Sequence, residues 1–156
     1  MKEVKLYTDG ACQGNPGPGG YGIILIYNNH RKEFSGGFRN TTNNRMELIA
    51  IINGLEQLKE KCKVTIFTDS QYVVNSINKG WARKWQKNNW YRNKEEKAAN
   101  TDLWQKLLNL CDNHQVAFIW IKGHNNHPEN EYCDQLAVAA AKKPNLPLDE
   151  GYLLTV

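Results

Sequence analysis

A chain of 156 residues, 40% apolar and 23% charged, has the size and composition of one globular domain and is not a disordered chain. No apolar run approaches the ~18–20 residues needed to cross a bilayer, and Met1-Lys2-Glu3-Val4 leads straight into a strand-like pattern rather than a signal peptide. The expected organisation is therefore a single domain over 1–156 in the cytoplasm. Its net charge of +4 is unevenly placed, because residues 79–97 hold seven basic and two acidic side chains, +5, against −1 for the remainder.

Val4, Leu6 and Thr8 alternate with Lys5, Tyr7 and Asp9, the period-two pattern of a strand, and Asp9 is expected to end it. Gly10 to Gly22 is rich in Gly and Pro and predicts turns. Tyr21–Tyr27 and Lys32–Phe38 read as two further strands joined by a hairpin at Asn28-Asn29-His30. The period then changes: Leu48, Ile51, Ile52, Leu55 and Leu58 fall at helical spacing, with candidate N-caps from Thr41 to Asn44. Val64–Thr68 is a short β-branched strand. Val73, Val74 and Ile77 mark a short helix, and Trp81 to about Asn89 another. Leu103, Leu107, Leu110 and Cys111 mark a longer one. Val116–Ile121 is the last strand. Pro128 opens a final helix with Glu129 and Glu131 in its positive first turn and a stripe of Cys133, Leu136, Ala137 and Ala140.

Three sequential strands suit an antiparallel meander. A right-handed strand–helix–strand crossover then returns the fourth strand parallel to the first. The expected class is α/β, a mixed five-stranded sheet of three antiparallel and then two parallel strands, with helices on both faces. Cys12, Cys62, Cys111 and Cys133 lie 50, 49 and 22 residues apart, form no CxxC or Cys/His cluster, and suit free thiols in a reducing compartment.

Asp9 and Asp69 each end a strand, and if those strands are parallel neighbours about 4.8 Å apart, both carboxylates emerge at one edge of the sheet. They can then converge on one divalent ion, or on two about 3.5–4 Å apart, the separation used for in-line phosphodiester chemistry. Glu47 and Asp134 are acids at the edges of buried helical stripes. Any one of the four, taken alone, reads as a cap or a solvated carboxylate.

Their contexts carry more. TDG and GNPGPGGYG around Asp9, TTNNRMEL around Glu47, TDSQYV around Asp69, then GW, DLW, KGH…HPEN and CD follow in order over nearly the whole chain. In this the chain resembles the bacterial type 1 ribonucleases H. The resemblance implies a ribonuclease H-like fold and an endonuclease that cuts the RNA strand of an RNA–DNA hybrid, leaving 5′-phosphate and 3′-hydroxyl ends. It implies Asp9, Glu47, Asp69 and Asp134 as metal-binding acids, with Mg2+ the usual ion, Mn2+ an alternative, and two ions expected with substrate bound. His124, whose unperturbed pKa near ~6.5 suits proton transfer, would assist proton transfer or product release. Many relatives carry Gly where this chain has Asn126.

Cys12, Asn15, Asn44 and Gln71 are the expected readers of the RNA 2′-hydroxyl, and Thr42 and Asn43 the expected contacts to the DNA backbone. The 79–97 stretch is the expected basic protrusion gripping the DNA strand through Trp81, Lys84, Trp85 and Lys87. The expected partner is the hybrid, with no membrane, and the expected state a monomer. Two other readings stay open at this point: a transposase- or resolvase-like nuclease of the same fold, and a hybrid-binding module without catalysis.

Overall fold

The computed structural model of the chain describes residues 1–123 and 127–154. Three strands, β1 (Lys2–Cys12), β2 (Gly17–Tyr27) and β3 (His30–Thr41), form the expected antiparallel meander. Asn28 in the β2–β3 turn takes φ 51°, which Asn tolerates better than most residues. α1 (Asn43–Glu56) crosses over to β4 (Cys62–Thr68), which lies parallel to β1 with Tyr7 opposite Phe67. After α2 (Gln71–Asn78), α3 (Trp81–Lys87) and α4 (Thr101–Asp112), β5 (Gln115–Trp120) adds parallel to β4. The sheet order is β3-β2-β1-β4-β5. α5 (Pro128–Ala141) and a short α6 (Glu150–Leu153) complete the described chain.

The apolar stripe of α1 packs on one face of the sheet, where Leu48, Ile51, Ile52 and Leu55 are buried and Leu6 lies against Gly54. α5 packs on the other face. A Cβ at Gly20 or Gly22 would collide with the main-chain carbonyls of Ala137 and Cys133, so β2 can carry only glycine there.

This close packing corrects two expectations. β1 does not end at Asp9 but runs on to Cys12, with Asp9 opposite Gly22. The Gly-rich stretch is mostly strand, and only residues 13–16 join β1 to β2. Main-chain ladders need no side chains, and Gly10, Gly20 and Gly22 mark where helices press on the sheet rather than where it turns, the turn itself holding Gly14 at φ 83°. Likewise the helix from Trp81 stops at Lys87, because Asn89 and Trp90 take φ 53° and 66°.

One buried charge fixes the helices to each other. Arg45, only 1% exposed, sits in the first turn of α1. Its guanidinium donates to both carboxylate oxygens of Asp102, at 2.9 and 2.7 Å, and to both of Asp149, at 2.7 and 3.1 Å. The Thr41 hydroxyl also donates to Asp149, at 2.7 Å. The Arg45 guanidinium hydrogen-bonded to Asp102 holds that carboxyl below its ordinary range. Its stabilisation is therefore complete above a pH of about 4 and lost as pH falls through the lowered value.

Removing one member of such a cluster strands the others. Arg45→Met should destabilise the protein by about 3–5 kcal/mol in urea denaturation at neutral pH. A loss below about 1 kcal/mol, the scale of an exposed pair, would mean that Asp149 does not depend on Arg45.

Candidate active site

The parallel register of β1 and β4 sets the first two acids. Tyr7 faces Phe67, and two residues further along each chain stand Asp9 and Asp69, at one level on one edge. Glu47 arrives from α1. A Cβ on Gly10 would lie 2.6 Å from the Glu47 nitrogen, so glycine at this point lets the helix rest directly on β1. Glu47 then accepts from the Gly10 N–H through Oε1 and from the Thr68 hydroxyl, at 3.3 Å, through Oε2. Asp9 Oδ1 also accepts from the Gly10 N–H, at 2.9 Å.

One carboxylate oxygen each from Asp9, Glu47 and Asp69 lies within 4.8 Å of the others. Asp9 and Glu47 are buried, at 4% and 3% exposure. Burial pushes the Asp9 carboxyl well above its ordinary pKa, and the negative charges of Glu47, Asp69 and Asp134 add to the shift. Burial also raises Glu47, with Asp69 pushing the same way and the hydrogen bonds to Asp9, Gly10 and Thr68 opposing. Asp134, in the second turn of α5, lines the same cleft but stands outside the tight trio.

The cleft has a volume of about 430 Å³, and its described lining contains four acids and no Lys or Arg. Such a set of hard oxygen donors is relieved by taking up protons or by a divalent cation of the Mg2+ or Mn2+ type. The donor chemistry thus fits a metal site.

The expected substrate contacts separate into four groups. Asn43, Asn44 and Gln71 line the acidic cleft. Thr42 and Asn15 meet the start of α1: Thr42 accepts from the Arg45 N–H at 3.3 Å and Asn15 Oδ1 from the Asn43 N–H at 3.0 Å. The Cys12 thiol sits 3.4 Å from the carbonyls of both Gly17 and Thr41. All four cysteines are free, as expected. Trp81, Lys84, Trp85 and Lys87 gather instead around a second groove of about 720 Å³, with Tyr91 and Arg92. Trp85 anchors this segment edge-on to Trp104, ring centroids 6.0 Å apart, whereas Trp81 is exposed with the Lys79 ammonium 5.3 Å from its ring.

His124 and Asn126 lie outside the described residues. The chain approaching them is close to the site, since a Cβ on Gly123 would lie 2.7 Å from Asp69 Oδ2. The sequence reading missed Trp120 and Ser70, which line the cleft, and Thr68, which bonds Glu47. Thr68 looked like one more β-branched strand residue. An indole at the end of a strand and three residues before Gly123 was the available signal for Trp120.

The ribonuclease H family model matches residues 1–142. The chain is 69% identical over 149 residues to the ribonuclease H of Desulforamulus reducens, covering 96% of this chain and 94% of that one. Among solved structures it is similar to LC9-RNase H1, a type 1 RNase H with the type 2 active-site motif, at 31% identity and a TM-score of 0.80, covering 90% of this chain and 72% of that one. The fold is also that of LC11-RNase H1 in complex with an RNA/DNA hybrid, with a TM-score of 0.67 at 23% identity, covering 88% and 96% of the two chains.

Carboxyls with raised pKa values take up protons on folding. The metal-free protein should therefore lose stability as pH rises from the ordinary carboxylate range near ~4 through the raised values of Glu47 and Asp9. In EDTA the thermal midpoint should fall between pH ~5 and ~8. Asp9→Asn should flatten that slope and stabilise the metal-free protein at the upper end by about 1–3 kcal/mol. A lower midpoint for the variant in EDTA at the higher pH would contradict repulsion among the acids.

Proposed function

The chain belongs to the ribonuclease H family, among its bacterial type 1 members, and from that premise we propose that the acidic cleft is where the RNA strand of an RNA–DNA hybrid is cut. The protein is an endoribonuclease hydrolysing the RNA of such hybrids, in a family that depends on divalent metal. The observation that carries the assignment to this cleft is the meeting of Asp9, Glu47 and Asp69, from β1, α1 and the end of β4, within 4.8 Å.

In this reading Asp9, Glu47, Asp69 and Asp134 would hold Mg2+, with Mn2+ an alternative, and two ions are expected with substrate bound. Bound ions supply activation of water and neutralisation of charge at the scissile phosphate. The residues do the rest. Gly10 N–H and Thr68 hydroxyl keep the Glu47 carboxylate turned into the cleft. His124, which lies outside the described residues, assists proton transfer or product release. Water adds to phosphorus, the bond to the 3′ oxygen breaks with that oxygen taking a proton, and the ends are 5′-phosphate and 3′-hydroxyl.

Asn44 and Gln71, beside the acids, read the RNA 2′-hydroxyl, which both donates and accepts, together with Asn15 and backbone groups near Cys12. Thr42 and Asn43 contact the DNA backbone. The groove of Trp81, Lys84, Trp85 and Lys87 holds DNA phosphates without regard to sequence. LC11-RNase H1, of the same fold, is bound to an RNA/DNA hybrid in its structure, which supports the hybrid as partner. The reading carries with it a cytoplasmic monomer of one domain over 1–156, with 79–97 as its basic protrusion. No described helix is long and apolar enough to cross a membrane.

A labelled hybrid, the matching duplex DNA and duplex RNA, each with Mg2+ and with EDTA, test the activity. Only the hybrid should be cut, only with metal, and only in its RNA strand. Cutting of duplex DNA would point to a transposase-like nuclease, and binding without cutting to a recognition module. Asp9→Asn should lower cleavage by at least about a thousandfold, in line with loss of a metal-held transition state, while hybrid affinity stays within a few-fold. Retained turnover would remove Asp9 from the metal site.

The groove has its own test. Replacing Lys84 and Lys87 together by Ala should weaken hybrid binding and lower the slope of log affinity against log salt by roughly 1–2. An unchanged slope would show that these lysines do not meet phosphates.

A further inference from the structure

Asp69 differs from the other two members of the trio in standing just beyond the end of its strand. Asp9 lies within β1, paired to Gly22, and Glu47 is held in α1 with its carboxylate bonded on both oxygens. Asp69 follows the last residue of β4. The β4–β5 ladder closes with Thr68 opposite Trp120 and with the Ile121 N–H donating to the Thr68 carbonyl at 2.9 Å. One residue further, where the ladder has stopped, the Trp120 indole N–H donates to the main-chain carbonyl of Asp69 at 3.1 Å.

Core packing does not account for the indole. Trp120 is 42% exposed and stands among polar groups at the wall of the acidic cleft. A leucine or valine would cover the same strand end with less apolar surface in water, but could not donate a hydrogen bond. The same segment also closes on the carboxylate. Asp69 Oδ2 lies where a Cβ on Gly123 would come within 2.7 Å. The end of β5 and the chain after it thus bear on Asp69 twice, at its carbonyl through Trp120 and at its carboxylate through Gly123.

We propose that Trp120 is a positioning residue of the metal site, its indole N–H fixing the main chain of Asp69 and so the direction in which that carboxylate enters the cleft, with Gly123 setting its far limit. The inference rests on the reading of Asp69 as a metal ligand. In this role Trp120 is no ligand itself and acts through Asp69. Losing it should loosen metal binding and leave hybrid binding as it was.

The test is Mn2+ binding to the full chain by titration calorimetry without nucleic acid, compared among wild type, Trp120→Phe, Gly123→Ala and Asp69→Asn. The phenylalanine keeps an aromatic ring and removes the donor. Trp120→Phe should bind Mn2+ about three- to tenfold more weakly, the scale of one neutral hydrogen bond, with a thermal midpoint in EDTA close to that of wild type. In hybrid cleavage its KM should stay within about twofold, and its lowered kcat should recover as metal is raised, the signature of a weakened ion site rather than of lost substrate contacts. Gly123→Ala should weaken Mn2+ binding as well, by crowding the carboxylate. Wild-type Mn2+ affinity in Trp120→Phe, or a defect confined to KM, would overturn the role of Trp120. Should Asp69→Asn bind Mn2+ as wild type does, the metal-site reading itself would fall and this inference with it.

Discussion

Three carboxylate oxygens within 4.8 Å, two of them on buried side chains, repel one another in a medium that screens them poorly. No chain gathers such a cluster by its own preference. It has to be imposed by elements whose positions are fixed for other reasons, and each acid here is delivered by one of them. The β1–β4 register brings Asp9 and Asp69 level, and bare glycine at position 10 lets α1 close on β1 with Glu47 at the contact. The energy that holds the acids together is therefore spent elsewhere, in the core that α1 and α5 make with the two faces of the sheet. Burying one large aliphatic side chain contributes roughly 1.5–3 kcal/mol, and the α1 stripe buries several.

Arg45 belongs to the same account. It lies two residues before Glu47 on α1, and its guanidinium ties the start of that helix to Asp102 at the start of α4 and to Asp149 near the chain's end. A rotation of α1 that let Glu47 escape its neighbours would have to drag this buried charge out of two forked carboxylate contacts. The bonds are directional as well as strong, so they fix the azimuth of the helix as apolar packing alone does not. The acidic cluster and the basic anchor sit on opposite sides of one helical turn, each satisfied by separate partners.

Much of this was legible in the sequence, for a physical reason. Strand alternation and helical periodicity are carried by many residues at once, so the order of elements and the parallel crossover could be read directly, and with them the meeting of Asp9 and Asp69. The misreadings came from residues whose role depends on what approaches from a distance. The glycines at 19 and 20 read as turn formers, yet they are strand residues kept bare by helices on both faces. Arg45 could be given no role from its own neighbours, because its partners Asp102 and Asp149 stand 57 and 104 residues away. Asn15 and Thr42, expected at the substrate, bond the first turn of α1, an arrangement set by the approach of residues 13–16 to that helix.

The two halves of the surface solve one electrostatic problem. An acidic cleft repels a polyanionic substrate, and divalent ions remove only the local part of that repulsion. Attraction has to come from positive charge elsewhere on the surface, which acts on nearby phosphates over a screening length of about 8–10 Å at physiological ionic strength. The sequence concentrates it accordingly, with +5 in residues 79–97 against −1 elsewhere. Trp85, wedged on Trp104, ties this segment to the core, so its lysines act from a fixed place rather than from a loose tail. In the proposed reading a basic groove tied to the core would hold one strand by its phosphates while the other lay over the acids. In that reading discrimination would rest on geometry as well as on charge: the groove would supply affinity to any phosphate backbone, and only a duplex that reaches both groove and cleft would present a ribose to Asn44 and Gln71.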